Sequence, residues 1–473
     1  MGLRMLELKI CSENKVKDIT RIKIFIELIV LKFLYMISVK LMLPELYAIW
    51  SFDKNVDFYY SLFELIPYVL CLFTYLHFYR RNSAYCFFLT LLFVIFYIPA
   101  NSGLSLSKND VTYYCLINLY SLLIFTIVGL ISKKEKNDES IDRFDVTHIY
   151  DSKRRVRVIR TMLVIVCVIS IGFVYLYNGL DFSKVFSDMY STRGDYAAYV
   201  TENTDSLLSY FLLLFAKMTQ WLLPLGLYFA IVNKKPVDVF LCLFSFLALF
   251  TVSMEKSTLM IIGVVIFICW EEKRKDFDRL SEILIRVFLI FFAIIFVEYA
   301  IKRESILFTL IVRRIFYMPT YLTKLYYDFF RENPKMWFTQ DAFFIQNVLQ
   351  RFFSRPYPTN ATGVISRYYF DGLIPSPNTG LFAEAYGQMG IIGVFVFPFI
   401  VALIVRVMRR GTDWYGKGAV SVVMTRLCLQ MVSVFTLPSS AFVGVLMVLG
   451  VTFLLKNCYY SQGRDIIHNG ERV

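Results

Sequence analysis

The sequence predicts an all-α integral membrane protein of about twelve transmembrane helices with a large, partly helical outer loop. Three observations lead there. Of the 473 residues, 57% are hydrophobic and 18% charged, against roughly 45–50% and about 25% in soluble domains. Mean hydropathy is +0.57, and the apolar runs recur along the chain with no long pause. Aromatic residues make up 18% of the chain, which suits wide membrane–water interfaces. One water-soluble core could not hide so much apolar surface, so a soluble enzyme, a disordered chain and a repeat solenoid are excluded. Residues 1–473 read as a single polytopic membrane domain.

A helix crosses a bilayer core with about 20 mostly apolar residues. That length picks out spans at 23–43, 58–79, 84–100, 112–132, 160–178, 207–232, 236–252, 257–271, 282–300, 385–405, 418–437 and 440–456. The pair 236–252 and 257–271 is short and joined by a tight polar turn, so a re-entrant pair is the alternative there. The first run follows six basic residues and has no small-residue cleavage site after it, and is expected to be a retained helix.

Lys and Arg favour the cytoplasmic side in short loops. With the N-terminus inside, the inner segments hold 30 Lys and Arg, while the short outer loops hold five: Lys54, Lys108, Lys184, Arg193 and Lys256. An N-in, C-in chain follows. The inner segment 133–160, with nine basic residues, suits anionic lipid. The net charge of +13 thus points to a membrane and not to nucleic acid. Nine cysteines lie in or beside apolar runs and suggest no disulfide framework.

Residues 301–379 form the extracytoplasmic loop and carry ten basic residues against five acids. Long loops translocate largely regardless of charge, and a basic outer surface suits an anionic ligand. Residues 305–331 read as helical, with a break or kink at Pro319, lying at the outer membrane interface. Arg313 and Arg314 interrupt this apolar, aromatic stretch. The planar fork of arginine grips phosphate oxygens in pairs, so the two could hold a lipid diphosphate; snorkelling to ordinary headgroups is the alternative. The rings that follow, from Trp337 to Phe370, can stack on sugars or pack the loop onto the interface.

Next comes Pro377-Asn378-Thr379-Gly380-Leu381-Phe382-Ala383-Glu384-Ala385-Tyr386-Gly387-Gln388-Met389-Gly390-Ile391-Ile392-Gly393. Asn378 is a good helix N-cap. Glu384 then sits between one and two turns into the helix, with Gln388 on the same face at i+4. Gly387, Gly390 and Gly393 allow close approach of a neighbour. A carboxylate at that depth must be paired or face a watery cavity. Glu384 is therefore either a structural partner for an arginine or a catalytic base.

Lys217, Arg286 and Arg426 lie inside spans and are functional hypotheses by default. Lys32 and Lys40 lie near the ends of an imperfect first span, where snorkelling accounts for them. Lys256 and Arg193 are expected on the outer face. His77, His148 and His468 all fall on the inner side, which argues against a membrane acyltransferase. Neither a zinc-ligand spacing nor a P-loop occurs.

These features together resemble the Wzy-type O-antigen and capsule repeat-unit polymerases. The resemblance lies in the layout, in Arg313-Arg314-Ile315-Phe316-Tyr317-Met318-Pro319, in Tyr326-Tyr327-Asp328-Phe329-Phe330, and above all in Asn378-Thr379-Gly380 followed by Glu384 and Tyr386. It implies a metal-independent glycosyltransferase of the GT-C type, without a cofactor, in the bacterial inner membrane. Its donor and acceptor would be glycans on undecaprenyl diphosphate, and a chain-length regulator and a flippase are implied partners. The related ligases use an outer-loop histidine, which this chain lacks. On this reading Glu384 is the first candidate for the base and Asp371 the second. Arg313, Arg314, Arg367 and Lys256 bind diphosphate, Arg303, Arg351 and Arg355 are reserves, and Arg193, Asn378 and Tyr386 contact substrate. The rivals are a lipid-linked oligosaccharide flippase, a small-anion transporter and a non-catalytic envelope protein. A flippase should have two similar halves and short loops, whereas this chain has no internal repeat and one 79-residue loop.

Overall fold

Inside a bilayer every backbone N–H and C=O must be satisfied within its own segment, which leaves helices for runs as apolar as these. The computed structural model describes residues 2–43, 58–79, 84–103, 106, 110–138, 153–178, 207–253, 256–274, 279–339, 350–372, 379–412, 416–433, 444–446 and 449–450. Among them the regular structure is all helical, with no strand. The helices are α1 Gly2–Met42, α2 Phe58–Phe78, α3 Ala84–Asn101 with a π turn at Phe93–Tyr97, α4 Val111–Asp138, α5 Lys153–Asn178, α6 Leu207–Val232, α7 Pro236–Ser253, α8 Lys256–Arg274 and α9 Leu280–Lys302. A π-helical segment, Phe308–Tyr317, then runs into α10, Met318–Glu332; α11 Ala361–Phe370, α12 Leu381–Met389, α13 Ile391–Thr412 and α14 Lys417–Ser433 follow. Within the described residues four stretches are long and apolar enough to cross a membrane: Ala84–Asn101, Val111–Lys134, Leu280–Lys302 and Ile391–Thr412. The last predicted span, 440–456, lies largely outside the described residues.

α3 is the most enclosed of these four. It packs on α14 and α9, α9 packs on α1, and α4 joins α2 to α13. α5, α6 and α7 pack on one another, and α14 ties α6 and α8 to the rest. Hydroxyls within the helices donate to the carbonyl one turn back, as Thr90 does to Cys86 (2.7 Å), Ser121 to Ile117 (2.8 Å) and Ser245 to Leu241 (2.8 Å). This is how a polar side chain is satisfied without leaving its helix.

Charged groups inside the bundle are matched across helices. Lys32 does not snorkel, as the sequence suggested; it is fully buried. Its ammonium meets Glu64 Oε2 (3.2 Å), Asn101 Oδ1 (2.5 Å) and Ser102 Oγ (3.2 Å), so all three donors have acceptors. Asn101 passes the network on to Tyr114 (3.1 Å) and Asn118 (2.9 Å). Arg286 bridges Glu27 (3.2 Å) and Glu282 (3.4 Å), which gives it a structural role between α1 and α9. Arg426 donates to Gln220 (2.7 Å), and the Lys217 side chain lies outside the described atoms.

Two local expectations are corrected. Pro319 does not break its helix, because it sits in the first turn of α10 directly after the π segment. The looser winding there accommodates the missing N–H. The predicted span beginning at 385 is not one helix: Gly390, at φ +60°, divides α12 from α13. A Cβ on Gly393 would lie 1.9 Å from the Ala385 carbonyl oxygen, so the two helices meet backbone to backbone. Gly393→Ala is expected to destabilise the protein by about 1–3 kcal/mol through overpacking, read as a lower melting temperature in detergent.

Candidate functional site

α12 carries the most informative sequence motif. Its N-cap is Gly380 and not Asn378, which lies outside the described residues. Glu384 stands in the first turn, where the helix dipole favours a negative charge, and is only 6% exposed. Gln388, one turn on and fully buried, donates from Nε2 to Glu384 Oε1 (3.4 Å). Its Oε1 accepts the Phe338 backbone N–H (2.7 Å). The same short loop donates from Met336 N to the Gly387 carbonyl (3.1 Å) and from Trp337 N to the Gln388 carbonyl (3.0 Å).

That loop is strained. Trp337 and Phe338 take φ values of +50° and +57°, at a cost of order 1–3 kcal/mol each. Ring stacking offsets the cost: Trp337 lies on Phe353 (centroids 5.0 Å) and Phe338 on Phe397 (6.0 Å).

On α4, Tyr113 and Tyr120 meet the Phe382 ring edge-on at 5.7 and 5.6 Å. Both hydroxyls are buried with no hydrogen-bond partner among the described residues, and Tyr120 lies within electrostatic reach of Glu384. Phe382 stacks on Tyr386 (5.9 Å), which meets Tyr327 of α10 (4.8 Å). Lys335 stands over the Tyr386 ring (5.5 Å) and donates to the Phe330 and Asn333 carbonyls. Burial pushes its amine below the ordinary lysine range.

α10 links this site to the arginine pair. The Pro319 carbonyl accepts the hydroxyls of Thr323 (2.7 Å) and of Thr379 (3.1 Å), the residue before Gly380. Arg313 and Arg314 lie six and five residues upstream of Pro319 on the same continuous helical stretch. Arg313 is 7% exposed and Arg314 half-buried. Burial first, and the neighbouring Arg314 second, hold the Arg313 guanidinium below its usual range. One face of the segment packs into the bundle, with Phe316 touching Tyr35, Phe288 and Phe292 at 5.9–6.2 Å, and Ile306 and Leu310 stay exposed on the other. Its start is clamped by Glu298, which accepts from Ser305 Oγ (2.7 Å) and Leu307 N (3.2 Å).

The remaining sequence candidates are exposed or lie outside the described atoms. Arg303 and Asp371 are exposed left-handed caps of α9 and α11. Arg351 and Arg367 are exposed. Arg355 is exposed and braces its own loop through the Tyr357 (3.2 Å) and Pro358 (2.8 Å) carbonyls. Arg331, not singled out from sequence, binds Asp110 (2.5 Å) and joins α10 to the start of α4. Arg193 lies outside the described residues, as does the side chain of Lys256, the first residue of α8. Sequence reading also missed Tyr120 and Lys335. Tyr113 and Tyr120 are spaced i, i+7 on one helix face, a signal that needs the partner helix to become meaningful. Among the described residues no cluster of three or more His, Cys, Asp or Glu could hold a metal.

Compared with known proteins, the chain matches no family model, and no curated protein or solved structure is significantly similar to it.

Proposed function

We propose that the chain is a membrane glycosyltransferase of the Wzy type, which polymerises oligosaccharide repeat units carried on undecaprenyl diphosphate. The observation that carries this reading is the buried, bracketed carboxylate of Glu384 on a helix packed against the continuation of the Arg313–Arg314 segment. In this reading the chain has about twelve spans, N-in and C-in, in the bacterial inner membrane, and the site opens to the extracytoplasmic side.

The chemistry follows from the charges. The acceptor hydroxyl passes its proton to Glu384 as its oxygen bonds to the anomeric carbon of the donor glycan. The bond from that carbon to the carrier diphosphate breaks, and the electron pair leaves with the diphosphate. On this reading Arg313 and Arg314 stabilise the charge growing there, which favours the transition state over the ground state. The aromatic group around Tyr386 suits sugar faces. Membrane lipids, a chain-length regulator and a flippase are the partners this reading calls for.

Purified protein in lipid vesicles, given the lipid-linked repeat unit, is the decisive test. A ladder of longer lipid-linked glycans is the expected result. Relocation of the unit across the vesicle without lengthening would overturn the proposal in favour of a flippase. Arg313→Gln is expected to slow elongation by about 10- to 150-fold, the rate equivalent of losing about 1.5–3 kcal/mol of charge-assisted bonding. The exposed Arg367→Gln should stay within a few-fold of wild type, and equal losses in both would argue for a diffuse field.

A further inference from the structure

We infer that Gln388 is the positioning residue for Glu384, a bracket that couples the 336–338 backbone to the orientation of the base; this rests on the reading of Glu384 proposed above. A peptide N–H can only donate, so the Gln388 oxygen must face Phe338 N (2.7 Å). The amide nitrogen must then face Glu384 Oε1 (3.4 Å). A backbone group outside the helix thus decides which end of the amide meets the carboxylate. Two more backbone bonds, to the carbonyls of Gly387 and Gln388, hold that loop against the last turn of α12.

The strain in Trp337 and Phe338 bears on the same point. Both residues keep left-handed backbones so that successive N–H groups can reach α12. Strain of this kind persists where the surroundings over-determine a geometry, and it gathers at functional sites. The donor at Glu384 also demands an acceptor, so it orients an oxygen that carries a lone pair, as a general base needs. The contact is long by hydrogen-bond standards, and catalytic contacts of this type tighten when substrate binds. Tyr120 of α4 lies within electrostatic reach of Glu384, and Lys335 stands over the Tyr386 ring of the same helix.

The test is a double-variant cycle on purified, vesicle-borne protein given the lipid-linked repeat unit. Gln388→Met removes donor and acceptor at similar volume. It is expected to lower kcat by about 10- to 100-fold with KM within twofold, and to add no further loss to Glu384→Gln. Gln388→Glu keeps the acceptor for Phe338 but sets a second carboxylate beside Glu384. It should be inactive at alkaline pH and recover as the pH falls, once the pair shares a proton and the donor is restored. A Gln388→Met loss confined to KM, or one that multiplies with Glu384→Gln, overturns the inference. If the Met variant does not fold, a Gln388→Glu profile parallel to wild type overturns it. Inactive Glu384→Gln beside fully active Gln388→Met sinks this inference alone, whereas active Glu384→Gln sinks the base and the bracket together.

Discussion

Glu384→Gln is expected to lower elongation of the lipid-linked repeat unit by about 10²–10⁴-fold, the usual contribution of a general base. The substitution is nearly isosteric and keeps an oxygen at the position that Gln388 Nε2 reaches. It also removes a charge from a 6% exposed site, which relieves rather than adds a desolvation cost. Melting temperature and membrane level should therefore match or exceed wild type, so that lost activity cannot be traced to lost protein. Asp371→Asn is the natural comparison. That carboxylate belongs to an exposed left-handed cap at the end of α11, and its replacement should leave elongation within a few-fold of wild type. Full-length polymer from a normally expressed Glu384→Gln protein would exclude Glu384 as the base.

Lys32→Met should have the largest effect on stability, about 3–5 kcal/mol, as when one partner of a buried ion pair is removed. Lys32 and Glu64 are both fully buried, and the ammonium also serves Asn101 and Ser102. Without it, Glu64 loses the ammonium that faces its buried charge, and Asn101 and Ser102 lose a donor. Combining Lys32→Met with Glu64→Gln should recover part of the loss, because the buried carboxylate charge is gone. The readout is thermal melting in detergent, scored as a cycle. A single Lys32→Met variant that melts with wild type would show that water or a neighbouring donor replaces the ammonium. The network joins α1, α2, α3 and α4, so its loss is expected to show first in folding.

Long apolar runs were legible because a membrane helix needs only length and composition, and both are local. The run at 84–100 appears as α3, and the run at 282–300 as α9. The motif before 385 was legible as a helix start, since a turn-forming segment precedes an apolar run. Gly390 was visible as one of three spaced glycines, yet only its φ of +60° shows that it ends one helix and begins another. The arginine pair was legible as an anomaly in an apolar stretch. The face it turns to the bundle was not, because Phe316 is positioned by Tyr35, Phe288 and Phe292, far away in the chain.

By itself the sequence determined the helical class, because the solvent demands of each segment can be read from its own residues. Only the tertiary structure decided which charges meet. Lys32 reaches Glu64 and Asn101, and Gln388 joins Glu384 to the Phe338 backbone, across 50 positions in the latter case. Such contacts depend on distance in space, and no local property of either residue encodes its partner. Where a buried polar group must find that partner to offset its lost hydration, the packing of helices settles the outcome.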